Sequence, residues 1–302
     1  MELQTNKNSV VEKKPEKSPS GFSVVLNEFR KDKLAMGSLI FLGLIVLAVS
    51  ITSIFLNQDK ITTIDIFSVF EPPSAEHWLG TDYGGRDIFG QLIIGTRNSF
   101  AIGLFITLIT NCVGLLVGLT AGYFGGIIDS IIMRIIDFIL ILPFMMMIIV
   151  FVTLVPKFTI LNFILIMSAF LWTGKARLIR SKVLSESELD YISAAKALGT
   201  PNIKILFSHL LPNVSSLIIV AFTLNLAGNI GIESGLSFLG FGLPESTPSL
   251  GTLVSYAMNP DVLQTKWWIW LPASGMILML MLSINFIGEA VKRAADARQR
   301  RG

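Results

Sequence analysis

Few side chains in this 302-residue chain have the types and spacing that chemistry needs. The two histidines, His77 and His209, lie far apart in sequence and do not make a metal site. Cys112 is the single cysteine and sits in an apolar run, so no intrachain disulfide can form. A nucleotide-binding loop needs Gly-x4-Gly-Lys-Ser/Thr; Gly174-Lys175-Ala176 lacks both the upstream glycine and the hydroxyl. No catalytic residue set and no metal ligands emerge, which argues against an enzyme. What remains is a polar segment, Asp190-Tyr191-Ile192-Ser193-Ala194-Ala195-Lys196-Ala197-Leu198-Gly199, set in otherwise apolar sequence. Its residues suit mechanical contact rather than bond-making.

Local signals predict a helix across 186–199. Ser185 and Glu188 read as a capping box ahead of it. Tyr191, Ala194, Ala195 and Leu198 recur at helical spacing and predict one apolar face. Gly199 suits the left-handed position after the last turn, and Pro201 stops continuation. A second short helix is expected from Asn202 to Leu210, with Thr200 as cap and Pro201 at its first position. Two small alanines at the centre permit close approach of a partner. The same pattern also fits an amphipathic helix lying flat on a membrane.

The elements around this segment are membrane-spanning. Hydrophobic residues make up 52% of the chain and charged residues 15%, against about 25% charged in soluble domains. About 20 apolar residues cross a bilayer as a helix. Six windows approach that length: Leu34–Leu56, Ser99–Tyr123, Phe138–Val155, Phe158–Trp172, Val214–Phe238 and Leu271–Val291. The third and fourth read as a hairpin turning at Pro156. With both termini inside, 19 Lys and Arg fall on the cytosolic side and 5 outside, the asymmetry that sets orientation. The segment 173–213 is then cytosolic.

The expected organisation follows. Residues 1–20 form a disordered cytosolic tail, rich in Lys, Glu and Ser. Residues 21–33 form an amphipathic surface helix, with Phe22, Val25, Leu26 and Phe29 on one face. The first span covers 34–56, an extracytoplasmic loop 57–98, the transmembrane core 99–291 and a cytosolic tail 292–302. Asn111, Asn225, Asn229, Glu233 and Asn285 lie within spans. They suit either a polar path or hydrogen bonds between helices, and Glu233 falls near an outer end where water reaches. Gly114, Gly118 and Gly122, and likewise Ala227, Gly231 and Gly235, repeat every four residues. Such stripes pack helices backbone to backbone, within one subunit or against a partner. Arg134 and Asp137 are spaced to pair on one helix.

Ser193-Ala194-Ala195, Gly199 and Leu211-Pro212 together resemble the Glu-Ala-Ala-x3-Gly-x9-Ile-x-Leu-Pro loop of the membrane subunits of ABC importers. Ser193 stands where the family has Glu, and His209 where the general signature has Ile. Further segments resemble the oligopeptide/dipeptide branch. They are Leu79-Gly80-Thr81-Asp82-x2-Gly85-Arg86-Asp87, Gly122-Tyr123-Phe124-Gly125-Gly126, Glu233-Ser-Gly-Leu-Ser-Phe-Leu-Gly-Phe-Gly242 and His209-x-Leu211-Pro212-Asn213. The resemblance covers about 75–290 and points to the C-type permease subunit.

That resemblance implies an all-α membrane protein of the type I ABC importer permease fold, with six transmembrane helices and cytosolic termini. It implies a multi-pass protein of the cell membrane that imports short peptides by alternating access. Nickel and metallophore permeases of the same family share these motifs; a secondary transporter is the more distant alternative. The implied partners are a homologous permease in a heterodimer, two cytosolic ATPase subunits, an extracytoplasmic substrate-binding protein and membrane lipid, with no nucleic acid. No cofactor is expected on this chain; ATP and Mg belong to the ATPases. The resemblance assigns ATPase coupling to Asp190, Tyr191, Ser193, Ala194, Ala195, Leu198, Gly199 and Pro212.

Overall fold

The computed structural model describes residues 32–155 and 158–299. The expected 1–20 tail, nearly all of the 21–33 surface helix, the turn at residues 156–157 and the end of the 292–302 tail lie outside them. Among the described residues the fold is helical, and its only strand-like pairing is an isolated bridge between Thr81 and Asp87.

Helix α1 spans Lys33–Phe55, and the Asp32 side chain accepts from the backbone N–H groups of Leu34 and Ala35 at its start. Cap acceptors of this kind satisfy donors that a first turn leaves open. Helix α2, Gln58–Thr62, is a single short turn. Helix α3 spans Ile88–Phe124, 37 residues, or about 55 Å at 1.5 Å per residue. It is longer than the Ser99–Tyr123 window because Asp87 caps it well outside the apolar stretch, accepting from Gly90 N–H at 2.7 Å. Helix α3 is the central post of the fold and packs against α1 and most of the helices that follow.

Helices α4, Gly126–Ile141, and α5, Phe144–Leu154, meet at a bend of 82°. Pro143 causes it. It has no N–H to continue the ladder and holds Leu142 in extended backbone, φ −67° and ψ 136°. The Phe138–Val155 window therefore straddles a corner and is not a straight span. Helix α6, Ile160–Leu171, packs back on α5 as the expected hairpin. Trp172 keeps helical dihedrals and links it to α7, Thr173–Ser187.

Helix α8 spans Asp190–Ala197, and α9 spans Asn202–Ile205. A π-turn at Leu206–Leu210 joins α9 to α10, Leu211–Phe238, making one apolar run of 37 residues from Asn202. Pro212 accounts for the π-turn. A proline ring clashes with the carbonyl four residues back, and a widened turn relieves it. The Leu211 N–H reaches five residues back to the Leu206 carbonyl. Helices α11, Leu250–Ser255, and α12, Pro260–Thr265, sit in the connection to α13, Trp267–Gln299.

Among the described residues four helical runs are long and apolar enough to cross a membrane: α1, α3, Asn202–Phe238 and the Trp267–Ala294 part of α13. The bent α4–α5 pair brings the number to five if counted as one span. All six sequence windows fall on helices.

Candidate functional site

Helix α8 sits at the end of a rigid stalk. Its carrier, α7, lies along α3 in close backbone contact over three turns. A β-carbon added at Gly114 would lie 2.7 Å from the Lys175 β-carbon. One at Gly118 would lie 2.8 Å from both the Ala176 carbonyl and the Ile179 β-carbon. One at Gly122 would meet the Arg180 carbonyl and the Val183 β-carbon at the same distance. Real β-carbons do not come so close, so only glycine permits this contact. The first small-residue stripe is thus packing within the chain. The second is mixed: Gly231 faces Met281, whereas Gly235 has open space around it.

Two ion pairs brace the stalk from the other side. Asp129 of α4 takes a bidentate contact from Arg180, and Asp137 pairs with Arg177. The acids lie two turns apart on α4 and the arginines one turn apart on α7. This corrects the expected pairing of Asp137 with Arg134. The true partner is 40 residues away in sequence and nothing local announces it.

The short helix begins later than its sequence suggested. Ser185 and Ser187 belong to the last turn of α7, so the Ser185–Glu188 capping box does not form. Leu189 turns the chain with extended backbone, and α8 starts at Asp190 rather than 186. The far end is as expected. Gly199 has φ +74°. Its N–H donates to the Lys196 carbonyl and the Thr200 N–H to the Ala195 carbonyl, both at 3.0 Å. That double closure is the Schellman pattern, which needs a left-handed residue at its centre. Pro201 takes the cap position of α9, one residue later than expected.

The faces of α8 differ from the expected stripe. Ile192 is fully buried and Ala195 is 9% exposed, both packed on Leu119, Ile179, Val183, Ile205, Leu206, Leu210 and Val214. Tyr191, Ala194 and Leu198 point away; Leu198 is 85% exposed. Asp190, Ser193, Gly199 and Pro212 are exposed as well. The helix is therefore anchored through Ile192 and Ala195 and offers the other residues of the set. The physical reason is Tyr191's hydroxyl. It accepts from Asn213 Nδ2 at 2.8 Å and donates to Glu186 at 3.1 Å, partners absent from an apolar socket. Burial, and then the Glu186 contact, raises the Tyr191 phenol above its ordinary pKa. Tyr123 completes the frame: its hydroxyl donates to Asn202 at 2.7 Å and its ring carries Lys196 at 5.0 Å.

The polar residues within the spans do not form one path. Asn229 of α10 donates to the Thr107 hydroxyl of α3 at 2.8 Å. Asn111 donates to the Thr107 carbonyl at 2.7 Å. The first bond ties α10 to α3; the second stays within α3, one turn back. Asn225 and Asn285 are only half-buried, and Asn225 borders a cavity beside Lys175. Glu233 is fully buried, not open to water as expected. The Ser237 hydroxyl donates to it at 2.8 Å and Ser234 at 3.3 Å. Ser99 of α3 and Ser249 at the start of α11 neighbour the same carboxyl, and the Ser99 hydroxyl accepts from Leu250 N–H at 3.0 Å.

At the opposite end of α3, residues 77–87 form a compact turn. Asp82 is fully buried and accepts from Gly84 N–H at 2.8 Å, Arg86 N–H at 3.0 Å, Arg86 Nε at 2.8 Å and Gln91 Nε2 at 2.9 Å. Arg86 also donates to the Tyr256 hydroxyl at 3.3 Å. Tyr83 donates to Glu245, and burial raises both phenols. Sequence reasoning found the turn but missed Glu245 and Tyr256, which come from more than 160 residues away. Among the described residues no three His, Cys, Asp or Glu side chains gather as a metal site.

Long apolar helices around a braced short helix with a displayed face are the build of a multi-pass membrane protein. The family described as binding-protein-dependent transport system inner membrane component matches residues 114–301, and the chain belongs to it. It is 49% identical over 291 residues to the oligopeptide transport system permease protein OppC of Lactococcus lactis subsp. cremoris, covering 96% of this chain and 99% of that one. It is 35% identical over 292 residues to OppC of Bacillus subtilis, covering 96% and 94%. It is also 35% identical over 273 residues to the dipeptide transport system permease protein DppC of Bacillus subtilis, covering 90% and 84%. Membership makes this a membrane permease component and not an enzyme.

Proposed function

We propose that this chain is one permease subunit of an ATP-driven importer of short peptides in the cell membrane. The relatives named for oligopeptide and dipeptide transport support the cargo class. The subunit has six spans, with α6 continued by α7 as the fourth and the α4–α5 corner as the third, and both termini in the cytosol. It pairs with a homologous permease, receives peptide from an extracytoplasmic binding protein and is driven by two cytosolic ATPase subunits that hold ATP and Mg.

Helix α8 is the coupling element. The observation that carries this reading is the division of its faces: Ile192 and Ala195 buried in the chain's own core, Tyr191, Ala194 and Leu198 exposed. An anchored helix transmits force, and a displayed face receives it. A helix resting on lipid would not need a core of its own beneath it. Because α8 hangs from α7, and α7 is locked to α3 through three glycines and to α4 through two ion pairs, displacement of α8 moves the membrane helices with it. ATP-driven closure of the ATPases shifts α8, and the two permeases open outward to take cargo.

The experiment is uptake of a labelled tripeptide by vesicles holding the reconstituted complex. The proposal expects uptake that requires ATP, the binding protein and this chain together. Uptake that persists without the ATPases, or a complex that moves no peptide, contradicts it.

A further inference from the structure

The cavity beside Asn225 holds a charge that no carboxylate among the described residues balances. Its volume is about 360 Å³, and its lining includes Leu142, Phe144, Phe170, Gly174, Lys175 and Asn225. Lys175 is only 8% exposed. Its ammonium donates to the Leu171 carbonyl at 2.9 Å. An ammonium has three donors, and this contact uses one of them. The ion pairs of α7 are made by Arg177, Arg180 and Lys182; Lys175 has no carboxylate partner among the described residues.

Although Lys175 falls in the segment the sequence places in the cytosol, it packs inside the helix bundle. Lys175 lies against Gly114, ten residues before the end of α3 at Phe124, about 15 Å along the helix. Buried charges at such depth face a partner or a water-filled passage. Among the described residues no acid faces the ammonium; the polar side chains at the cavity besides Lys175 are the neutral Thr173 hydroxyl and Asn225 amide, and the rest of the lining is apolar. An oxyanion entering the cavity would meet the two unused donors of the ammonium.

We propose that Lys175 receives the C-terminal carboxylate of the peptide in transit. This rests on the peptide-import reading above. A linear peptide carries that carboxylate whatever its sequence, while its side chains vary. One fixed cation for the invariant group, beside unselective walls built from Leu142, Phe144 and Phe170, matches a cargo of that kind. Gly174 leaves the cavity open: an added β-carbon there meets nothing within 4 Å.

The test compares a tripeptide with its C-terminal amide in vesicles holding the complete complex. Lys175→Met and Lys175→Arg are measured beside the parent, with the binding protein held constant. Loss of one charge-assisted hydrogen bond corresponds to about tenfold. Lys175→Met is therefore expected to lower the acid-to-amide uptake ratio about tenfold relative to the parent, with ATP hydrolysis retained. Lys175→Arg is expected to keep the ratio. An unchanged ratio in Lys175→Met overturns the proposal, whether both forms fall together or neither falls. Loss of a co-purifying anionic lipid with an unchanged ratio assigns the site to a lipid phosphate and overturns it too. If Lys175→Met does not assemble, Gly174→Leu decides. It fills the open space and is expected to cut uptake at least fivefold in an assembled complex; undiminished uptake overturns the proposal. A parent complex that takes up neither peptide form refutes the peptide-import reading itself, a separate result.

Discussion

Adjacent alanines on α8 separate anchoring from coupling. Ala195 is 9% exposed and packs among Ile192, Ile179, Val183 and Ile205. Leucine there adds three carbons to a filled site. Overpacking of that kind costs about 1–3 kcal/mol, and the cost falls on this chain's own fold. Ala194 is exposed on the opposite side. Ala194→Leu has room in the isolated chain and costs it almost nothing, but it adds the same volume to the surface offered to the ATPase. If that surface is seated in a socket, the same 1–3 kcal/mol appears in association instead, a weakening of about 5-fold to 150-fold. The assay has two readouts: the melting midpoint of the solubilised chain alone, and ATPase retention with stimulated hydrolysis in the complex. Ala195→Leu should lower the first. Ala194→Leu should leave the first unchanged and lower the second. Full ATPase retention by Ala194→Leu together with an undisturbed Ala195→Leu would refute the division of faces.

Gly199→Val should uncouple hydrolysis from uptake through the backbone alone, since its φ is +74° and no neighbour obstructs a side chain. The left-handed conformation costs a β-carbon residue about 1–2 kcal/mol, and uptake per ATP in vesicles measures the effect. Gly118→Val should detach α7 from α3, because even a β-carbon would lie 2.8 Å from the Ala176 carbonyl; yield of monodisperse complex should collapse, whereas Gly174→Ala should be neutral. Asp82→Asn should leave Arg86 buried beside a neutral partner. Breaking a buried pair costs about 3–5 kcal/mol, so complex yield should fall far more than binding-protein affinity in whatever complex remains.

The punctuation of the fold was legible in the sequence. Gly199, Pro201 and the apolar windows fell where the structure has a left-handed cap, a helix start and helices. The misses have physical causes. Two helical registers share Ala195, one through Tyr191 and one through Ile192. Periodicity cannot choose between them; the tyrosine hydroxyl's need for Glu186 and Asn213 does. The Pro143 corner was hidden because averaged hydropathy is blind to backbone direction. Ser185 and Glu188 match a helix-start pattern but sit where α7 ends. The braces Asp129–Arg180 and Tyr83–Glu245 join residues far apart in the chain, and a single sequence carries no trace of such contacts. In the sequence Lys175 reads as one of the cytosolic charges of 173–213 and as part of a failed nucleotide loop; its burial follows from the close approach of α7 to Gly114, which spacing alone does not show.

The central claim is that the displayed face of α8 docks on a cytosolic ATPase. Leu198 is its most exposed large residue, at 85%. With Cys112→Ser as background, Leu198→Cys can be tested with a membrane-impermeant thiol reagent in intact cells, in inverted vesicles and in inverted vesicles carrying bound ATPase. The account predicts no labelling in intact cells, full labelling in stripped inverted vesicles and protection once the ATPase is bound. Labelling from outside the cell, or equal labelling with and without the ATPase, would contradict it.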